Sequence, residues 1–294
     1  MRTGLPTLPS QRLDQLLAQY GRTVARSRQQ YLLAFAAIAV LIGLAGRYGE
    51  VDVAHLLRHL SGLTSYFGRI LPTLRPEHLS GDVAEWYWNL FGWLKLLSDT
   101  VLIAYLATLG GMIFAAAAAF LAAANLAPSS PLRWCTKRLL EFCRTVPELV
   151  FALIFVNAFG LGPLAGVLAI GIHSFGTLGK LFTEAIENID MNPVEGVRST
   201  GGRFVDIVRF GALPQVLPNF ASYALLRFEI NVRASSIVGF VGAGGIGQDL
   251  FVAIRKFYYT DVSAILLLII VTVSIIDLLT ERIRHRLAPV EAKP

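Results

Sequence analysis

At 294 residues, 54% hydrophobic and only 16% charged, with a mean hydropathy of +0.58, the chain lacks the charge of an ordinary aqueous surface; soluble domains average about a quarter charged residues. Its net charge of +6 comes without basic runs interleaved with aromatics, which points away from nucleic acid and toward the positive bias of membrane-protein loops. The two cysteines, Cys135 and Cys143, have no Cys/His ligand set around them, so neither a zinc nor a dithiol motif is present.

An α-helix rises about 1.5 Å per residue, so about 20 apolar residues cross the hydrocarbon core. Before the first such stretch, Gln11 to Gln30 places Leu13, Leu16, Leu17 and Tyr20 at helical spacing, the pattern of an amphipathic helix lying at the membrane surface. Six candidate spans follow: Tyr31 to Gly46, Val101 to Ala127, Pro147 to Gly160 with an earlier start near Leu139, Pro163 to Leu181, Phe220 to Val241, and Val262 to Leu279. The first is expected to be a retained anchor rather than a cleaved signal, because about 30 residues with five arginines precede it and no clear A-x-A site follows. Arg47 to Ser98 is polar at first, then aromatic at Trp86, Tyr87, Trp88, Phe91 and Trp93, a girdle expected at headgroup level. His55 and His59 stand four apart in that segment without a metalloprotease context.

With six spans both ends share a side. Sixteen Lys and Arg then fall in the terminal segments and the loops on that side, against seven on the other, so both termini are expected in the cytoplasm. The expected organisation is a cytoplasmic amphipathic segment (1–30), a first transmembrane helix with an extracytoplasmic segment (31–98), a core (99–284) with a cytoplasmic loop at 184–218, and a cytoplasmic tail (285–294).

That loop is too polar for lipid and too regular for a simple connection. A membrane subunit without a nucleotide site receives work through a rigid protrusion, and two short helices around a glycine turn at Gly201-Gly202 supply one. Leu213 and Pro214 are expected to end it, with Pro214 and Pro218 disfavouring helix through this point. Glu195, Gly201, Leu213 and Pro214 match the spacing E-A-A-x3-G-x9-I-x-L-P, with Gly196, Val197 and Gly211 replacing its alanines and isoleucine. This resembles the coupling loop of ABC importer permeases.

Three further stretches, RTVPEL from Arg144, RFEINVR from Arg227 and VGFVGAGGIG from Val238, resemble the phosphonate-type permease family over roughly Leu90 to Arg284. The resemblance implies an all-α membrane protein of type I ABC importer permease architecture. It also implies two ATP-binding subunits, an extracytoplasmic solute-binding protein and a second permease copy, identical or paralogous, within a lipid membrane and with no nucleic acid. ATP and magnesium would belong to the partner subunits, with no cofactor in this chain. The implied substrates are phosphonate, phosphite or phosphate; methionine-type permeases share the glycine-rich ending and are the alternative, followed by an ATP-independent secondary transporter.

Charges inside the fifth span are costly and mark a bundle interior or a water-filled path. At helical spacing Glu229, Arg233 and Ser236 form one stripe, and Arg227 with Asn231 a second. A Glu229–Arg233 pair could merely lock the helix, or these residues could line a path in which a guanidinium meets an oxyanion. Arg144 and Glu148 form a further i, i+4 pair around Pro147. Gly242, Gly244 and Gly247 spell G-x-G-x-x-G, but no strand precedes them, so a flexible gate or hinge that includes Gly245 is expected instead of a dinucleotide site. Gly179-Lys180 lacks the remainder of a phosphate-binding loop, so no ATP hydrolysis is expected of this chain alone.

Overall fold

The computed structural model describes residues 10–49 and 52–287. Arg2, the rest of the first nine residues, Lys293 and the tail from residue 288 lie outside the described residues, as do the side chains of Leu13, Leu16 and Leu17. The chain forms two compact units, Met1–Tyr66 and Phe67–Pro294.

In the first unit, α1 (Ser10–Tyr48) is one unbroken helix. It contains no proline, so nothing separates the predicted surface segment from the predicted first span. Its stretch Gln19–Tyr48 is long and apolar enough to cross a membrane, and Leu32, Leu33, Phe35, Leu41 and Ile42 are exposed on it. The next helix, α2 (Val53–Arg58), is capped by Asp52, whose carboxylate accepts from the His55 amide at 2.9 Å. After it, α3 (Leu60–Ile70) leads into the second unit.

The second unit contains α4 (Leu79–Trp86), α5 (Leu90–Ala122), α6 (Ser130–Thr145), α7 (Glu148–Phe159), α8 (Pro163–Glu187), α9 (Met191–Ser199), α10 (Phe204–Asp206), a π turn (Ile207–Ala212), α11 (Leu213–Val238), a 3-10 turn (Gly239–Val241), α12 (Ile246–Arg255) and α13 (Tyr259–Leu287). Helices α5, α6, α7 and α11 pack around α8, and α13 packs on α11. Lipid tails are as apolar as leucine, so helices in a bilayer associate through close fit at small residues. Gly111 and Gly176 provide that fit. A Cβ on Gly111 would come within 2.9 Å of the Ser174 side chain, and one on Gly176 within 2.5 Å of the Arg144 amide of α6.

Four helices are long and apolar enough to cross by themselves: Gln19–Tyr48 within α1, then α5, α8 and α13. The helix through α11 and the following α12, bent by 49° at the break between them, pass the same length and composition test together, as a broken span or a re-entrant loop. The predicted third span is divided. Pro147 has no N–H to continue a helix and favours extended backbone before it, and Val146 has ψ 122°. Separated in this way from α6, the 12-residue α7 reaches about 18 Å, short of the roughly 30 Å core. The break also removes the predicted Arg144–Glu148 pair: Glu148 lies 3.2 Å from His173 Nδ1, and Arg144 is exposed.

The tryptophans act as staples. Trp86 Nε1 donates to Thr260 O (3.1 Å) and Ser263 Oγ (3.0 Å), and Trp88 Nε1 donates to Asp261 Oδ1 (3.1 Å). Trp93 is buried in a core with Leu97, Ile246, Leu250 and Val262. Upstream of α4, the Arg75 amide and guanidinium donate to Asp82 at 2.8 and 2.9 Å. The Arg75 side-chain hydrogen bond, with help from its amide, holds the Asp82 carboxyl below its ordinary range.

Candidate functional site

The loop between α8 and α11 stands on a tied base. The Glu187 carboxylate at the end of α8 accepts from the Ala124 amide (2.8 Å) and Lys137 Nζ (3.1 Å), and Asn125 Nδ2 donates to Ile186 O (2.8 Å). Asp190 caps α9 by accepting from the Asn192 amide at 3.0 Å. Gln215 then clips the loop's two ends together. Its Nε2 donates to Asp190 O (3.0 Å) and Gly211 O (2.7 Å), while its Oε1 accepts from the Asp190 amide (3.1 Å).

On the inner face, Val194, Ile207, Ala212 and Val216 are buried with Phe182 and Ile186. The outer face exposes Glu195, Gly196 and Arg198, together with Val205 and Phe210. Gly201 takes φ +81°, and Gly202 packs so close that a Cβ would meet Val197 O at 2.9 Å. The predicted knob is present: a helix, a glycine turn and a second helical piece. Its predicted end is not. Leu213 and Pro214 begin α11, with the half-buried Leu213 and exposed Pro214 in the first turn, and Pro218 stands inside that helix. A first-turn proline needs no N–H, and the wide π turn before it absorbs the change of pitch.

Along α11 the two predicted stripes have different surroundings. Arg227 and Asn231 are buried against α5 and α8. Asn231 Nδ2 donates to Thr108 Oγ1 and to Ser174 Oγ, both at 2.8 Å, and Arg227 Nε donates to Ser174 Oγ at 3.1 Å. Glu148 and His173 are the charged and titratable neighbours of Arg227 in this layer. On the other stripe, Arg233 Nη2 donates to Glu229 Oε1 at 2.9 Å, the predicted pair. Asp277 of α13 adds a second carboxylate 3.8 Å from Arg233 Nη1. Ser236 is separated from that pair: it is buried, and its hydroxyl donates to the Val232 carbonyl of its own helix at 3.4 Å.

The glycine run forms a packed elbow between α11 and α12. Gly242, Gly244 and Gly245 have φ of +86°, +86° and +79°. Gly247 lies so close to Ser236 O that a Cβ would come within 1.8 Å. The Gly162 amide donates to Gly242 O (3.0 Å), and the Ile246 amide donates to Thr100 Oγ1 (2.8 Å).

Sequence reasoning missed Thr108, His173, Ser174 and Asp277, and it gave Glu148 a different partner. Asp277 and His173 stand alone inside apolar spans, and an intramembrane ionisable residue is itself a functional signal. Thr108 and Ser174 carry no such signal, because small hydroxyls are common in spans.

Long apolar helices around a polar layer, with one protrusion on a tied base, define a multi-pass membrane protein. The chain belongs to the family described as binding-protein-dependent transport system inner membrane component, whose profile matches residues 111–290. It is 37% identical over 270 residues to the phosphite transport system permease protein PtxC of Stutzerimonas stutzeri, covering 92% of this chain and 93% of that one. Over 191 residues it is 42% identical to the phosphate-import permease protein PhnE of Mycolicibacterium smegmatis, covering 65% of this chain and 36% of that protein. Among solved structures, a chain of the inward-facing MetNI methionine ABC transporter matches with a TM-score of 0.58 at 18% identity, covering 67% of this chain and 96% of that one, a likeness of fold.

Proposed function

We propose that this chain is the permease subunit of an ATP-driven importer that carries a small phosphorus oxyanion (phosphonate, phosphite or phosphate) by alternating access. The observation that carries the coupling is the protrusion itself: Glu195, Arg198, Val205 and Phe210 are presented outward on a base clipped by Gln215. A mixed polar and apolar knob on a rigid base can transmit motion from a docked subunit, whereas a slack loop would absorb it. The substrate class is supported by the 37% identity to a phosphite permease along 92% of the chain.

In this reading two ATP-binding subunits dock on the knob and supply ATP and magnesium chemistry, and this chain performs no catalysis. A second permease copy, identical or paralogous, completes the path, and an extracytoplasmic binding protein delivers the anion. The excess of Lys and Arg beside the knob and in both terminal segments supports a cytoplasmic location for both termini, an arrangement that needs the short apolar α7 to complete a sixth crossing.

The test is co-expression with candidate ATPase subunits, followed by ATPase and uptake assays in liposomes with phosphite, phosphate, methylphosphonate and methionine. Stimulation by a phosphorus oxyanion is expected. Full uptake without any ATPase partner, or stimulation by methionine alone, contradicts the reading. Glu195→Ala and Phe210→Ala are expected to weaken ATPase co-purification.

A further inference from the structure

Arg227 is only 8% exposed, in the middle of α11, yet it makes no ion pair among the described residues. It lies 14 residues from the start of that helix, about 21 Å along the axis. Its one hydrogen bond is from Nε to Ser174 Oγ, so its two terminal amino groups have no hydrogen-bond partner among the described residues. Burying a guanidinium without a contacting counter-charge is expensive, and the cost falls when an anion arrives.

The surroundings make this a shaped donor site. Ser174 Oγ accepts from both Arg227 Nε and Asn231 Nδ2. A hydroxyl has two acceptor lone pairs and one donor hydrogen, so both lone pairs are used and its hydrogen is left to donate. Asn231 is itself anchored by Thr108 Oγ1. Ser174 and Asn231 therefore fix the inner edge of the guanidinium and leave its outer fork for a ligand. Glu148, the carboxylate that attracts Arg227 in this layer, is engaged at 3.2 Å by His173 Nδ1.

We propose that Arg227 is the intramembrane contact for the transported oxyanion, with Ser174 and Asn231 as its positioning residues and Glu148 as the competing internal anion. The planar fork of a guanidinium matches two oxygens of a phosphorus oxyanion, which a lysine ammonium does not. Arg233 is not this contact, since two carboxylates already neutralise it. The assignment rests on the oxyanion-importer reading above.

The experiment is calorimetric titration of phosphate, phosphite and methylphosphonate into the permease–ATPase complex without binding protein, paired with uptake by the complete system. Wild type is expected to bind saturably. Arg227→Lys is expected to bind at least about tenfold more weakly, the effect of losing a bidentate pair, and Arg227→Gln not measurably. Glu148→Gln is expected to bind several-fold more tightly, a gain that a purely structural Arg227 does not predict. Arg227→Lys and Glu148→Gln decide the matter if Arg227→Gln does not assemble. Wild-type binding and uptake in assembled Arg227→Lys overturn the assignment and leave the importer reading standing. A wild-type complex that moves another solute and none of these anions overturns both.

Discussion

Two arginines six residues apart on α11 have opposite surroundings. Arg233 is half exposed and touches two carboxylates, Glu229 on its own helix and Asp277 on α13. Arg227 is nearly sealed from solvent, and among the described residues its one polar partner is a serine hydroxyl. The first arrangement is a clamp: it ties α11 to α13 and leaves no net positive charge to offer. The second retains its charge and most of its donors. A charge in a membrane span is therefore read from what neutralises it, not from its presence.

The largest effect is expected from making Arg227 resemble Arg233. Ser174→Asp places a carboxylate beside the guanidinium, and the resulting internal pair should lower oxyanion uptake by more than about tenfold. Uptake rates in the reconstituted complex check this; an unchanged rate breaks the comparison. Next, Asn231→Ala removes a side chain that is 0% exposed and leaves Thr108 and Ser174 without its amide. A loss of about 1–3 kcal/mol in thermal or denaturant stability is expected, together with a lower uptake rate as Ser174 loosens.

A smaller effect is expected at the clamp. Asp277→Asn leaves the 2.9 Å Glu229–Arg233 contact in place, and a partly exposed pair contributes about 0–1 kcal/mol. The unfolding midpoint should move little, and a large shift would show that the clamp is not the weaker of the two layers. The smallest effect concerns a third arginine, Arg75, outside the spans. Asp82 is held below its ordinary 3.8, first by the Arg75 side-chain hydrogen bond. A lowered carboxyl pKa stabilises fully above the ordinary value and loses that contribution only as pH falls through the lower folded value. Protection of the Arg75 amide from exchange should therefore be the same at about pH 5 and pH 8, and should decline only below the ordinary carboxylate range.

Much of the molecule was legible in the sequence because its signals are local. Apolar length located four of the six predicted spans outright and the helix of the fifth, and i, i+4 spacing located the Glu229–Arg233 pair on one helix face. Spacing also located the Gly201 turn, which takes a positive φ. What was missed depends on contacts between distant segments. Asp277 reaches Arg233 from another helix, and Ser174 reaches Arg227 across 53 residues. The Arg144–Glu148 pair was predicted on the assumption of a continuous helix, and Pro147 breaks that helix. The opposite error occurred at Pro214 and Pro218, where proline suggested an end. A π turn before the first proline lets α11 begin there and run on.

The most direct measurement compares oxyanion uptake by Arg227→Lys and Arg233→Lys in the same reconstituted complex, each corrected for the amount assembled with its ATPase subunits. Both variants keep the charge and lose only the planar fork. A much larger loss of uptake in Arg227→Lys than in Arg233→Lys is the predicted result. An equal loss, or a larger one in Arg233→Lys, would contradict the division of α11 into a substrate-contacting arginine and a clamped one.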